Sequence, residues 1–234
     1  MTKIKKLQEQ KEWDKYWTKK KTKSQDIYRI IASFYRRCII KRTLNHFIEK
    51  EFKNGSKLLH AGAGTGQVDT DILKSYDITA LDISPEALKL YKFYNGNKAK
   101  VIVASIFDIP SRSLSYDGVY NLGVHEHFTM EENEKILKEF ARVLKPNGKI
   151  VLFWPPKFGV SVIFLNSLHF LLNNILGKKI QLHPEEISLI KSKRQVSDLL
   201  KKAGFKPLGL YFGPIDLFTQ FVVVGRKINR KNQM

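Results

Sequence analysis

The stretch LLHAGAGTGQVD, residues 58–69, constrains this chain more than any other. Apolar positions run into Gly62, Gly64 and Gly66, a pattern that turns a strand sharply toward a helix and leaves bare backbone against a ligand. A dinucleotide fingerprint requires a further glycine where Gln67 stands, so that pattern fails. The phosphate-binding P-loop fails too, because no Lys-Ser/Thr pair follows the glycines. What remains is G-x-G-x-G, with Asp82 at the end of the next expected strand, 20 residues beyond Gly62. A carboxylate in that place can accept both hydroxyls of a ribose.

The flanking sequence alternates between two periodicities. Short apolar runs at 57–61, 78–82, 100–105, 116–123 and 149–154 read as strands. Helical patterns lie between them at 68–76, 84–94 and 129–144. Ser84 followed by Pro85 marks one helix start, and Thr129 with Glu132 has capping-box spacing at another. KPNG at 145–148 reads as a stop and turn, and a further helix is expected over 194–205. Strands alternating with helices specify an α/β fold: a Rossmann-like, doubly wound sheet, mostly parallel. The last two strands, 206–212 and 217–225, are separated only by GPID, and so short a link requires an antiparallel hairpin. Seven strands are therefore expected, preceded by N-terminal helices over 4–23 and 25–52. The expected organisation is a basic helical cap at 1–52 and a ligand-binding domain at 53–234, interrupted by an apolar helical insertion at about 157–192.

Net charge is +19, but it is unevenly placed. Residues 1–50 hold 15 Lys/Arg against 5 acids, whereas residues 51–176 hold 14 against 13. A basic end on a neutral body suits either a solvated surface or an acidic partner such as anionic lipid or RNA. Only 9 of the 41 basic residues are Arg, which disfavours nucleic-acid readout. The single Cys38 rules out a disulfide within the chain and a thiolate metal cluster. No apolar leader core and no run of 18 apolar residues is present, so the expected location is cytoplasmic, with peripheral membrane contact as an option.

Over residues 55 to 155 the sequence resembles the class I S-adenosylmethionine-dependent methyltransferases, of the methyltransferase type 11 kind. HAGAGTG looks like the first motif, and ALDIS like the second, with Asp82 on the ribose and Ile83 beside it. SIFDIP resembles the third, which implies that Asp108 accepts from the adenine amino group while Ile106 and Phe107 flank the ring. NLGVHEHF stands at the fourth, with Asn121 and Val124 near the methionine portion and Glu126-His127 matching a pair common in the family. The resemblance implies S-adenosyl-L-methionine as cofactor; no metal is expected, because His125, Glu126 and His127 are too compact a cluster for all three to ligate one ion and no carboxylate partners are evident. One departure stands out: His60 occupies a position where the family usually has Asp or Glu. A neutral imidazole still hydrogen-bonds, so affinity is expected to be tuned rather than abolished.

Methyl transfer from a sulfonium is an in-line displacement in which the protein mainly positions and desolvates the reactants. Some acceptors must first lose a proton, and His125 and His127 are the expected bases. Two residues apart in an extended segment, they would face the same way. Glu126 is expected to be structural or to hydrogen-bond the cofactor, and His183 could reach in from the acceptor side. On a helix, residues 159–179 would form an amphipathic lid over the acceptor, pack on the sheet or contact a membrane surface. Trp13, Tyr16 and Trp17 either close over the cofactor or anchor their helix to the core, the second being preferred. The leading expectation is methyl transfer to a small or lipid-like acceptor. RNA or protein methylation through the basic helices is the alternative, although no N-P-P-Y-like tetrapeptide follows the fourth strand. A non-catalytic, cofactor-binding partner subunit is the third.

Overall fold

The computed structural model describes residues 3–18, 33–160, 162–163 and 186–229. Residues 164–185 of the expected insertion, with His183 and most of the lid segment, lie outside the described residues, as do 19–32 between the two N-terminal helices.

Seven strands form one sheet: β1 (Lys57–Ala61), β2 (Asp77–Asp82), β3 (Lys100–Val103), β4 (Tyr116–Leu122), β5 (Leu144–Trp154), β6 (Phe205–Tyr211) and β7 (Phe221–Lys227). Their spatial order is β3-β2-β1-β4-β5-β7-β6. β1 to β5 run parallel, while β7 pairs antiparallel with both β5 and β6. This is the expected doubly wound sheet with its antiparallel end. The order reverses between β1 and β4, and ligands of such sheets bind outside the carboxyl ends of the strands at that switch point.

Helices α1 (Lys3–Thr18), α2 (Lys41–Glu51), α3 (Pro85–Asn95), α4 (Met130–Val143) and α5 (Lys193–Lys202) surround the sheet, and a π turn at Arg36–Ile40 leads into α2. Parallel strands are buried on both faces, so alternate residues serve two cores. On one face Leu59, Val119, Ile150 and Leu152 meet Ile136 and Phe140 of α4 and Leu199 of α5. On the other, Leu58, Tyr120, Val151 and Phe153 meet Leu44, Phe47 and Ile48 of α2. The predicted caps form: Ser84 Oγ accepts from Ala87 N, and Thr129 and Glu132 make a reciprocal capping box.

Three local expectations are corrected. The helix expected over 68–76 shrinks to one 3₁₀ turn, Ile72–Lys74. Val68, Asp69, Thr70 and Asp71 are weak helix formers, and Asp69 is turned inward to a buried partner. KPNG does not end an element before a new strand. β5 already begins at Leu144, and its pairing with β4 shifts register between Tyr116 and Gly118, with Asn147 left-handed at φ 61°. The last hairpin link is longer than GPID; it spans residues 212–220 and contains a 3₁₀ turn at Pro214–Asp216.

Candidate active site

At the carboxyl ends of β1, β2 and β4 lies a cavity of about 340 Å³. The glycine loop forms its floor. Gly64 has φ 51° and Gly66 has φ 60°, both in the left-handed region where a side chain is strained. A Cβ on Gly66 would stand 2.2 Å from the Tyr91 ring, and Asn95 Nδ2 donates to the Gly66 carbonyl at 2.9 Å. Tyr91 and Asn95, one turn apart on α3, therefore brace the loop from below.

Four of the loop's amides are spent inside the fold. A phosphate cradle leaves several N–H groups free and aims a helix N-terminus at the anion. Here Gly62 N and Ala63 N both donate to the Leu81 carbonyl, at 2.8 and 2.9 Å. Gly64 N donates to Asp82 Oδ2 at 2.8 Å, and Gly66 N to the Ala63 carbonyl at 3.0 Å. With these donors used internally and no α-helix following, Gly62, Ala63, Gly64 and Gly66 offer a ligand mainly van der Waals contact to bare backbone.

Asp82 is fixed at the cavity wall by backbone donors. Its Oδ1 accepts from Ser84 N at 2.9 Å while Oδ2 takes the Gly64 amide, and only 8% of the residue is exposed. Burial raises its pKa, opposed by those backbone donors. A carboxylate has about four acceptor sites, so two remain for a diol at the cavity wall. Ile83, Ser105 and Ile106 continue the wall toward β3, and Leu122 and Val124 continue it toward β4.

Family membership follows from comparison with known proteins. The family model described as a methyltransferase domain matches residues 59–152. The ubiquinone/menaquinone biosynthesis C-methyltransferase UbiE of Geotalea daltonii is 32% identical over 181 residues, which cover 68% of this chain and 74% of that protein. An uncharacterized methyltransferase-like protein of Schizosaccharomyces pombe is 38% identical over 103 residues, 42% of this chain and 38% of its own length. In fold the chain is similar to the magnesium protoporphyrin IX methyltransferase of Synechocystis PCC 6803, a structure with bound SAH. The TM-score is 0.62 at 13% identity, covering 96% of this chain and 94% of that one. The chain belongs to the class I S-adenosylmethionine-dependent methyltransferases.

The residues present fit that cofactor. Asp82 would hold the ribose hydroxyls, Ile83 and Ile106 would enclose the nucleoside, and the bare loop would let the sulfonium chain lie close to the sheet. When bound, the cofactor supplies the electrophilic methyl group; the chain binds, orients and excludes water. Helix α1 would contribute to that exclusion. Trp17 lies where a Cβ on Gly64 would meet its ring at 3.3 Å, and Trp13 stands edge-on to His127 at 5.3 Å between centroids. Asp14 hydrogen-bonds Ser84 Oγ. The aromatic cluster of this methyltransferase thus spans the cavity, and the preferred anchoring role is corrected.

The remaining expected residues divide. His60, Gly62, Gly64, Gly66, Asp82, Ile83, Ile106, Val124 and His127 line the cavity. Phe107 instead packs edge-on to Phe128, with centroids 5.3 Å apart. Asp108 is exposed, facing the charge of Arg142 rather than the cavity, because its amide is folded back onto the Ser105 carbonyl at 3.1 Å. Asn121 is fully buried with neither end of its amide hydrogen-bonded; strand alternation puts it on the Val119 face, toward α4.

His125 is corrected most sharply. Residues 125–127 form a 3₁₀ turn, so positions two apart diverge instead of sharing a direction. His125 is turned into the core, stacked on Trp154 at 4.9 Å, with Nδ1 donating to Asn133 Oδ1 at 2.6 Å. Burial lowers its pKa to about 4. It is a neutral structural imidazole.

Glu126, expected to be structural or to hydrogen-bond the cofactor, lines the cavity as a buried acid. It is 5% exposed, Oε2 has no hydrogen-bond partner, and burial raises its pKa to about 8. Glu186 adds to that rise. Sequence reasoning missed Tyr35, Gln220 and Glu186, since they reach the cavity from distant segments.

Proposed function

We propose that this methyltransferase acts on a small or lipid-like acceptor. The observation that carries this reading is the part of the cavity beyond the glycine loop. Tyr35, Ile40, Phe128 and Phe153 wall it, and Trp13 crosses its opening. A pocket mostly apolar, with a few polar groups such as Gln220 and Glu126, suits a small or hydrocarbon-bearing molecule rather than a polynucleotide backbone. The UbiE relative, whose name concerns quinone biosynthesis, supports the same direction.

Peripheral contact with a membrane surface belongs to this reading. Phe158, Val160, Leu217 and Phe218 are exposed, near Lys157 in sequence or through the Val160 N to Phe218 carbonyl bond. No helix among the described residues is long and apolar enough to cross a membrane. A cytoplasmic location belongs to the same reading, with which the single Cys38 is consistent. Transfer of label from methyl-labelled S-adenosylmethionine to a total lipid extract, a small-metabolite fraction and total RNA tests the proposal. Label in the first or second supports it; label in RNA alone rejects it.

A further inference from the structure

We infer that His60 and Asp69 act as one unit in place of a strand-end carboxylate, presenting the α-ammonium group of S-adenosylmethionine with a hydrogen-bond acceptor backed by a buried negative charge. This rests on the cofactor assignment and deepens it.

His60, the next-to-last residue of β1, lies opposite Tyr120 of β4, on which its ring stacks with centroids 4.4 Å apart. The nucleoside wall, Asp82 to Ile106, lies over β2 and β3. A ligand running along the strand ends from there reaches β1 with its amino-acid end. His60 lines the cavity at that place.

The imidazole is oriented from behind. Nδ1 lies 2.7 Å from Asp69 Oδ2, and the Tyr91 hydroxyl donates to the same oxygen at 2.7 Å. Asp69 is completely buried. Burial, then the Asp69 charge, raises the Tyr91 pKa far above its usual value, so the phenol is the donor and the carboxylate accepts. A carboxylate oxygen only accepts, so Nδ1 of His60 is the donor in that contact. With Nδ1 turned inward, Nε2 is the polar atom that the ring can offer to the cavity, and in the neutral tautomer it is an acceptor.

Other carboxyl groups are less suited. Asp82 is committed to two backbone amides on the nucleoside side, and burial holds Glu126 largely protonated near neutral pH. An α-ammonium group needs an acceptor with negative charge behind it. The sequence put the imidazole at the strand end and the carboxylate nine residues later.

Isothermal titration with S-adenosylhomocysteine and with 5′-methylthioadenosine tests the unit, because the second ligand keeps the nucleoside and sulfur but lacks the amino-acid end. Asp69→Asn should weaken S-adenosylhomocysteine about tenfold or more while methylthioadenosine stays within about twofold. Nitrogen-15 spectra should show the Nδ1-protonated tautomer of His60 in the parent and its loss in the variant. Should Asp69→Asn fail to fold, His60→Phe, which keeps the stack on Tyr120, should show the same ligand selectivity. Equal loss of both ligands, or no change in either, overturns the inference. If the parent protein binds neither ligand, the cofactor assignment itself fails.

Discussion

His125 donates from Nδ1 to Asn133 Oδ1 at 2.6 Å, while His127, two residues on, meets Trp13 across the cavity. Adjacent imidazoles therefore have unlike roles. His125→Ala should lower stability by about 2–4 kcal/mol, through the emptied volume against Trp154 and the stranded Asn133. Cofactor affinity should change little. His127→Ala should leave the urea midpoint nearly unchanged while altering cofactor affinity or turnover. Denaturation and titration on both variants check the division.

Glu126 and Glu186 share the cavity, and the proton on Glu126 couples stability to pH. Its pKa is raised from 4.5 to about 8 in the fold, so the stability it contributes at low pH is lost as pH rises through that window. His125 works at the other side: its pKa falls from 6.5 to about 4, so its contribution is lost as pH drops through that range. Above pH 6.5 the Glu126 effect acts alone of the two. Glu126→Gln should therefore gain about 2 kcal/mol over the parent between pH 6.5 and 8. Urea melts at the two pH values measure the difference.

Substitutions at Gly64 and Gly66 should differ in cost. Gly66→Ala drives a methyl into the Tyr91 ring and Asn95 Nδ2, atoms packed in the interior, and should destabilise the protein by about 3 kcal/mol or more. Gly64→Ala meets only Trp17 of α1, at 3.3 Å, and should weaken cofactor binding more than it weakens the fold. Thermal melts with and without cofactor separate the two.

Of the three tryptophans, Trp154 is buried under Ser188, whereas Trp13 and Trp17 face the cavity. Cofactor addition should change the intrinsic fluorescence, and the change should survive in Trp154→Phe. It should be lost in the Trp13→Phe/Trp17→Phe double variant. A signal carried wholly by Trp154 would contradict the placement of α1.

The parts of the site legible in the sequence were those fixed by local backbone chemistry. Gly64 and Gly66 announce left-handed positions, Asp82 falls at a strand end, and Thr129 with Glu132 caps α4 as spacing alone predicts. What the sequence concealed depends on neighbours brought in by the fold. Asp69 appeared to lie on a helix, yet His60 and Tyr91 draw it inward and leave one 3₁₀ turn behind it. His125 and His127 were paired by assuming an extended segment, and a tight turn sends them apart. Asp108 matched a motif by position, but the bond from its amide to the Ser105 carbonyl turns it to solvent. The replacement of an acid by His60 was itself the available signal: a carboxylate had to be sought behind the imidazole.

The measurement that bears most directly on the account is titration of S-adenosylmethionine into the parent protein and into Asp82→Ala, with melts confirming that both are folded. Loss of the diol's acceptor should weaken binding by about 10- to 100-fold. Unchanged affinity in a folded Asp82→Ala protein would mean that the nucleoside is held elsewhere, and the site described here would be the wrong one.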